Sequence, residues 1–400
     1  SSCFDSKVVH LESFAMTLLC LVWDSSGNVA LCHESPAFVR DFPSGFERDL
    51  RLRPPSQGGQ GPALAAAPLF LCRHVSSCEG QATLLPAPPC EPAPHSAGLI
   101  KSCLQKAIRR GLTRTAVAAA AYLLAREPQE LLRRLPVVLA EDVGVFEDLP
   151  RLTWLAVAAQ SGYALHEGDA HFVLALVAAA ATHPRRTAPP DAVPEARARA
   201  ALHRLLSGPA VGAGTAPAAG AGAAVAEQLS LCLTLRACYG GMGCDIDMLL
   251  AFAGNPAHWE HRVVPAELTA TAGAGLADEW LAHLRSCRWR WGGPLAAEAG
   301  ERLEAAVDFH CSDVVPRICR YLQARRARAP TAPGPPDEDE VKAAIWTHRS
   351  SVNFRDPPPP SPRPAWWDAD TDAELSRLSR AAWAPVVPSA PASGSGGGAG

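Results

Sequence analysis

At 400 residues the chain is longer than one hydrophobic core usually serves, so two domains, or one with long flanking segments, are expected. Hydrophobic residues make up 48%, yet much of that is alanine and only 6% of the chain is aromatic, a balance that favours helices burying little area per residue. A formal net charge of -3 excludes a whole-chain field drawing it to nucleic acid or an anionic membrane, so such contact needs a local patch.

The opening SSCFDSKVVH has no initiator methionine, which predicts a fragment or a processed chain. FAMTLLCLVW is ten residues long, too short to span a bilayer, and reads as a buried strand or helix. Residues 1–50 alternate between strand-like and turn-like patterns. SSGN at Ser25–Asn28 predicts a turn between CLVW and VALCH, hence a small hairpin. Residues 51–95 carry RPPSQGGQGPALAAAP and LLPAPPCEPAPH, too rich in Pro and Gly for regular structure, and are expected to form a linker. A helical domain is expected over 96–207. Ile100, Cys103, Leu104, Ala107, Ile108 and Leu112 keep the rhythm of a one-sided helix, and further helices are predicted at Arg114–Ala125, Gln129–Leu139, Leu149–Ser161, Gly168–Thr182 and Pro194–Leu206. Pro136 predicts a break or kink. An Ala/Gly linker at 208–224 is followed by a second helical section at 225–329, packing on the first, and by a largely disordered Pro-rich tail at 330–400, apart from a short helix around Val341–His348 and tryptophan-bearing segments at Trp346, Trp366, Trp367 and Trp383. The expected fold class is mainly α, a multi-helix bundle with disordered Pro/Gly/Ala-rich linkers and tail.

No GxxxxGK[ST] phosphate loop occurs; YGGMGCD lacks its lysine and its strand. There, Gly240, Gly241 and Gly243 are expected to end one helix and Asp245 to cap the next. Lys101, Gln105, Lys106, Arg109, Arg110 and Arg114 gather within about four helical turns. That pattern suits tracking of a phosphate backbone, and equally a solvated helix face. Arg133 and Arg134 are expected to pair with Glu141 or Asp142. HRSSVNFRDPP, with Arg349, Phe354 and Arg355, reads as a docking segment for a partner or nucleic acid.

Thirteen cysteines, odd in number and irregular in spacing, suggest reduced thiols inside a cell. Cys232, Cys238, Cys244, Cys287, His310, Cys311 and Cys319 lack the short pair spacing of zinc sites, apart from adjacent His310 and Cys311, and read as buried structural thiols without metal. An enzymatic use of His310, Cys311 and Asp313 is a weaker alternative, and no GxSxG elbow accompanies it.

In order, SCLQKAIRRG, AVAAAAYLL and ELLRRLPVVLAEDVG resemble the helical region behind the ATPase core of the replication-associated recombination protein A family, clamp-loader relatives that include the Werner helicase-interacting protein. The likeness covers about Gly98–Gly144 and extends toward His183. It implies an all-helical collar that forms oligomers and sits on DNA at stalled forks, with Lys101, Gln105, Lys106, Arg109, Arg110 and Arg114 toward DNA and Arg133, Arg134, Glu141 and Asp142 structural or at an oligomer contact. The family's ATPase motifs are missing, so ATP hydrolysis does not carry over and no cofactor or catalytic residue is expected. The expected function is that of a non-catalytic helical protein of DNA replication and recombination maintenance. The alternative is a helical interaction scaffold without a nucleic-acid role. Expected partners are DNA and a homo-oligomer or AAA+ partner, with no membrane, in an intracellular setting such as the nucleus or an organelle.

Overall fold

The computed structural model describes residues 18–24, 28–34, 44–52, 67–74, 83–85, 96–190, 195–207, 221–285, 314–328, 336–356 and 362–383. Strands β1 (Leu18–Trp23), β2 (Val29–Glu34), β3 (Ser44–Leu52) and β4 (Ala67–His74) precede the helices. These are α1 (Ala97–Arg109), α2 (Thr113–Arg126), α3 (Pro128–Asp142), α4 (Leu149–Gln160), α5 (Glu167–Thr182), α6 (Glu195–Ser207), α7 (Ala221–Cys238), α8 (Gly243–Gly254), α9 (Ala266–Ala272), α10 (Ala274–Arg285), α11 (Val314–Arg328), α12 (Glu338–Ile345) and α13 (Ala369–Trp383). The protein is thus mainly α. Its backbone groups into two compact units, Ser1–Thr83 with Leu135–Leu165 and Thr187–Ala266, and Leu84–Arg134 with His166–Arg186 and Glu267–Gly400. The units interleave in sequence, unlike the expected succession of 96–207 and then 225–329.

The first unit holds the sheet, in the order β2-β1-β4-β3. β1 and β2 form the expected hairpin, antiparallel, with Cys20 opposite Cys32 and Leu21 opposite Leu31. The Asp24 N–H donates to the Asn28 carbonyl and the Asn28 N–H to Asp24 Oδ1, both at 2.9 Å, which closes the turn. β4 corrects the expected linker at 51–95. It runs parallel to β1 and antiparallel to β3, and its Leu69, Phe70, Leu71 and Cys72 are all buried. A strand between two others, covered on both faces, needs a continuous apolar run, and APLFLCRH supplies one amid the Pro and Gly. At the β2 edge, the Gln228 amide accepts from the Leu31 N–H (3.0 Å) and donates to its carbonyl (2.9 Å), occupying backbone groups that an edge strand leaves open. Trp154 of α4 donates its indole N–H to the Cys72 carbonyl at 2.9 Å and meets Trp23 and Tyr163 edge-on, while the Arg73 guanidinium lies 4.0 Å over Trp23.

The glycine corner after α7 differs in detail from expectation. Gly240 and Gly241 take φ of 77° and 147°, a conformation open to glycine, and Arg236 donates to the Gly240 carbonyl at 2.8 Å. Met242 occupies the N-cap of α8, however; Gly243 lies within that helix and Asp245 sits in its first turn instead of capping it. There its carboxylate faces the positive end of the helix dipole.

In the second unit α2 and α5 pack alanine against alanine, and α10 packs on both. A Cβ on Gly273, where α9 meets α10, would stand 2.5 Å from the Ala175 carbonyl oxygen of α5, so this residue type sets the approach of backbone to backbone. The described residues of the tail, 336–356 and 362–383, which include expected tryptophan-bearing segments, contribute to a packed core. Val314, Val315, Ile318 and Leu322 of α11 meet Val341 and Ile345 of α12, Leu375 and Leu378 of α13, and the stacked rings of Trp366 and Trp367. Their indole N–H groups donate to Glu340 (2.9 Å) and Asp372 (2.7 Å). Two buried tryptophans supply apolar area that a Pro-rich composition conceals.

Pro136 does not end α3, which continues to Asp142. Leu131, Leu132, Leu135, Val137, Val138 and Leu139 are all buried, and that burial offsets the backbone hydrogen bond a proline removes. The chain passes from one unit to the other between Arg134 and Leu135, one residue before the proline.

Candidate functional site

α1 starts at Ser96, whose Oγ accepts the Leu99 N–H at 3.2 Å. Its apolar stripe of Ile100, Cys103, Leu104, Ala107 and Ile108 is buried, as the periodicity predicts. Its basic side departs from the expected open face. Gln105, Lys106 and Arg109 are only 5%, 1% and 3% exposed, which corrects them from surface to interior positions. Lys106 Nζ donates to Ser102 Oγ at 3.1 Å, Gln105 Oε1 accepts from Arg134 at 2.9 Å, and Arg109 donates to the Ser350 carbonyl. The physical reason is coverage on several sides: α2 and α5 pack on α1, and the segment after α12 closes over its end.

Three other cations lie nearer the surface. Lys101 meets Glu130 at 2.6 Å, a hydrogen bond that holds the Glu130 carboxyl below the ordinary glutamate value. Arg114 meets Glu279 at 2.8 Å, and Arg110 donates to the Arg349 carbonyl at 2.7 Å. Of the other expected group, Arg133 turns back to Glu130 at 3.2 Å. Glu141 is half-buried and Asp142 buried, and both belong to the first unit.

The segment that covers α1 is the expected docking segment, now seen docked within its own unit. A π-helical turn at Trp346–Ser350 brings the Trp346 ring to 5.8 Å from the Arg109 guanidinium carbon. The Phe354 N–H then donates to the Arg109 carbonyl at 3.1 Å. Gly111, at φ 70°, leaves room for the Phe354 ring, which a Cβ there would meet at 3.0 Å. Arg355 reaches furthest. Its Nε donates to the His183 carbonyl (2.6 Å), one Nη to Ile108 (2.9 Å) and the other to Ala180. Ile108 and Ala180 lie in the last turns of α1 and α5 and His183 follows directly, so one guanidinium meets the negative ends of two helix dipoles. Asn353 Oδ1 accepts the Arg355 N–H at 3.1 Å, and Arg186 meets Asp356 at 3.4 Å. Burial, with the nearby charge of Arg355, pushes the His183 imidazole below its usual value, against a backbone hydrogen bond at Arg185 that raises it.

Three of the described thiols are poor nucleophiles. Burial raises Cys103 far above the ordinary thiol range, and pushes Cys232 and Cys238 up to about 12. Among the described residues no group of three or more His, Cys, Asp or Glu side chains is placed to hold a metal ion, and no helix is long and apolar enough to cross a membrane. Cys287, His310, Cys311 and Asp313 lie outside the described residues.

Sequence reasoning passed over two features. Arg355 was read as a contact for a partner, and only its distance in sequence from Ile108 and Ala180 hid the fastening role. α11, VVPRICRYLQARRAR, carries five arginines and no acid, and Arg317, Arg320, Arg326 and Arg328 are exposed. That acid-free run was the available signal. Comparison with protein-family models, curated proteins and solved structures finds no match for this chain.

Proposed function

We propose that the chain is a non-catalytic helical scaffold in which α1 is an internal strut, fastened at its C-terminal end by the 346–356 segment. The observation that carries the reading is Arg355, whose guanidinium ties the ends of α1 and α5 through three carbonyls. A cation engaged with helix-end carbonyls orders a scaffold; catalysis would call for a titratable group beside a substrate cleft. The motif order shared with the clamp-loader relatives supports placing this scaffold in DNA maintenance, through assembly more than through α1 as a contact surface.

Replacing Arg109 and Arg110 together by Ala tests the reading in the full chain. The scaffold role predicts a lower Tm, with oligonucleotide affinity at low salt and its salt slope unchanged for the folded molecules. An intact Tm with weaker binding and a flatter slope is the result a DNA-tracking α1 would give, and it would overturn the proposal.

A further inference from the structure

We propose that α11 presents an arginine face that docks on the phosphate backbone of a nucleic acid, independently of base sequence. This goes beyond the scaffold reading and makes no use of α1. Val314, Val315, Ile318 and Leu322 are buried in the core with α12 and α13, which fixes how the helix is turned. Arg325, on the edge of that buried stripe, is held by two hydrogen bonds to Asp368. Arg320 lies opposite that stripe, Arg317 and Arg328 share one exposed flank beside it, and Arg326 is exposed on the other flank. From Arg317 to Arg328 the face runs about 16 Å along the helix axis. A nucleic-acid strand offers a phosphate every ~3.4 Å of duplex axis, so several lie within that reach.

The residue types favour phosphate over other anionic partners. Every cation of α11 is an arginine, whose planar fork of N–H donors matches two phosphate oxygens. Between the exposed arginines stand Gln323, Ala324 and Ala327, which leave the face low and give it no apolar wedge. A membrane-surface helix needs outward apolar side chains, and those of α11 point into the core. Asp337 and Glu338, opposed by Lys342, act on α11 at Cys319, on the side of the helix away from Arg317 and Arg328. With a chain net charge of -3, attraction has to come from a local patch such as this one and is strongly screened by salt.

Fluorescence anisotropy of the full chain with labelled single-stranded and duplex oligonucleotides of mixed sequence, over a range of salt, tests the proposal. Affinity should fall linearly with salt on logarithmic axes. The pair Arg320→Glu and Arg328→Glu should weaken binding about ten-fold or more at low salt and flatten the slope by about 2, with circular dichroism and Tm unchanged. The pair Arg320→Lys and Arg328→Lys should keep the slope and lose part of the affinity, and it serves as the readout if the Glu pair loses helical signal. Equal binding by wild type and the Glu pair would overturn the proposal. So would no binding at low salt, a Lys pair that matches wild type in affinity, or a preference for phosphatidylserine vesicles or polyglutamate over the oligonucleotides.

Discussion

α1 and α11 are arginine-bearing helices of similar length, thirteen and fifteen residues, and they differ in what surrounds them. α1 is packed by α2 and α5 and closed at its end by the 346–356 segment, so Lys106 and Arg109 are buried and bonded to a hydroxyl and a carbonyl. α11 is packed on one side, against α12, α13 and two tryptophans, and leaves four of its five arginines exposed. A cation enclosed by protein must find hydrogen-bond acceptors or lose solvation that nothing replaces, so it becomes part of the fold. A cation left in water, as Arg320 and Arg328 are, can meet a partner with little further desolvation. The same residue type therefore does opposite work according to how many sides of its helix are covered.

Replacing Arg355 by Ala should produce the largest effect, because it frees three carbonyls at the ends of two helices. A loss of about 3 kcal/mol in urea unfolding is expected, given that hydrogen bonds to a charged group contribute ~1.5–3 kcal/mol each with incomplete additivity. A change indistinguishable from zero would remove the fastening role and, with it, half of the comparison. Gly111→Ala should cost about 1–3 kcal/mol in the same assay, from a left-handed backbone position and the nearby Phe354 ring. A neutral result would mean that the segment docks more loosely than the geometry indicates.

Asp368 gives a pH-dependent handle on the packed side of α11. Its hydrogen bond to Arg325 holds the carboxyl well below the ordinary aspartate value of 3.8. A depressed folded-state pKa stabilises above the unfolded value and loses that contribution as pH falls below 3.8 toward the folded value. Thermal melts should therefore show a smaller acid-induced drop for Asp368→Asn than for wild type; identical drops would contradict the pairing. The pair is largely exposed, so solvent screening keeps the effect modest.

Lys106→Met should change stability by less than about 1 kcal/mol, since an apolar side chain of similar length replaces a buried charge, whose desolvation offsets bonds such as the one to Ser102. A large loss would show that the ammonium has structural work beyond that bond. Smallest of all is the expected stability effect of Arg320→Ala, within about 0.5 kcal/mol by calorimetry, as for exposed positions generally. A marked destabilisation would place Arg320 in the fold and bring α11 closer to α1 in kind.

Much of the helical order was legible because it is written in local periodicity. The predicted helix Arg114–Ala125 is observed as Thr113–Arg126, and Leu149–Ser161 as Leu149–Gln160. β4 was hidden because a short apolar run amid Pro and Gly looks like linker until two neighbouring strands supply its hydrogen bonds. In the tail the tryptophans marked local order, and what the sequence did not carry is that α11 and α12 cover Trp366 and Trp367. As for the candidate site, both α1 and the 346–356 segment stood out as basic stretches. Their meeting depends on contacts more than 230 residues apart, such as Arg110 with Arg349, for which sequence spacing carries no signal.

By itself, the sequence determined that the protein is mainly helical, where most helices of 96–207 begin and end, and which side of α1 is apolar, because these depend on propensity and on a 3.6-residue repeat within one element. Only the tertiary structure decided which cations are enclosed and which face water, that Pro136 lies within an unbroken α3, and that Arg355 joins two helix ends. Those outcomes depend on neighbours brought together by folding, and the solvation of a charge is set by all the sides of a helix at once.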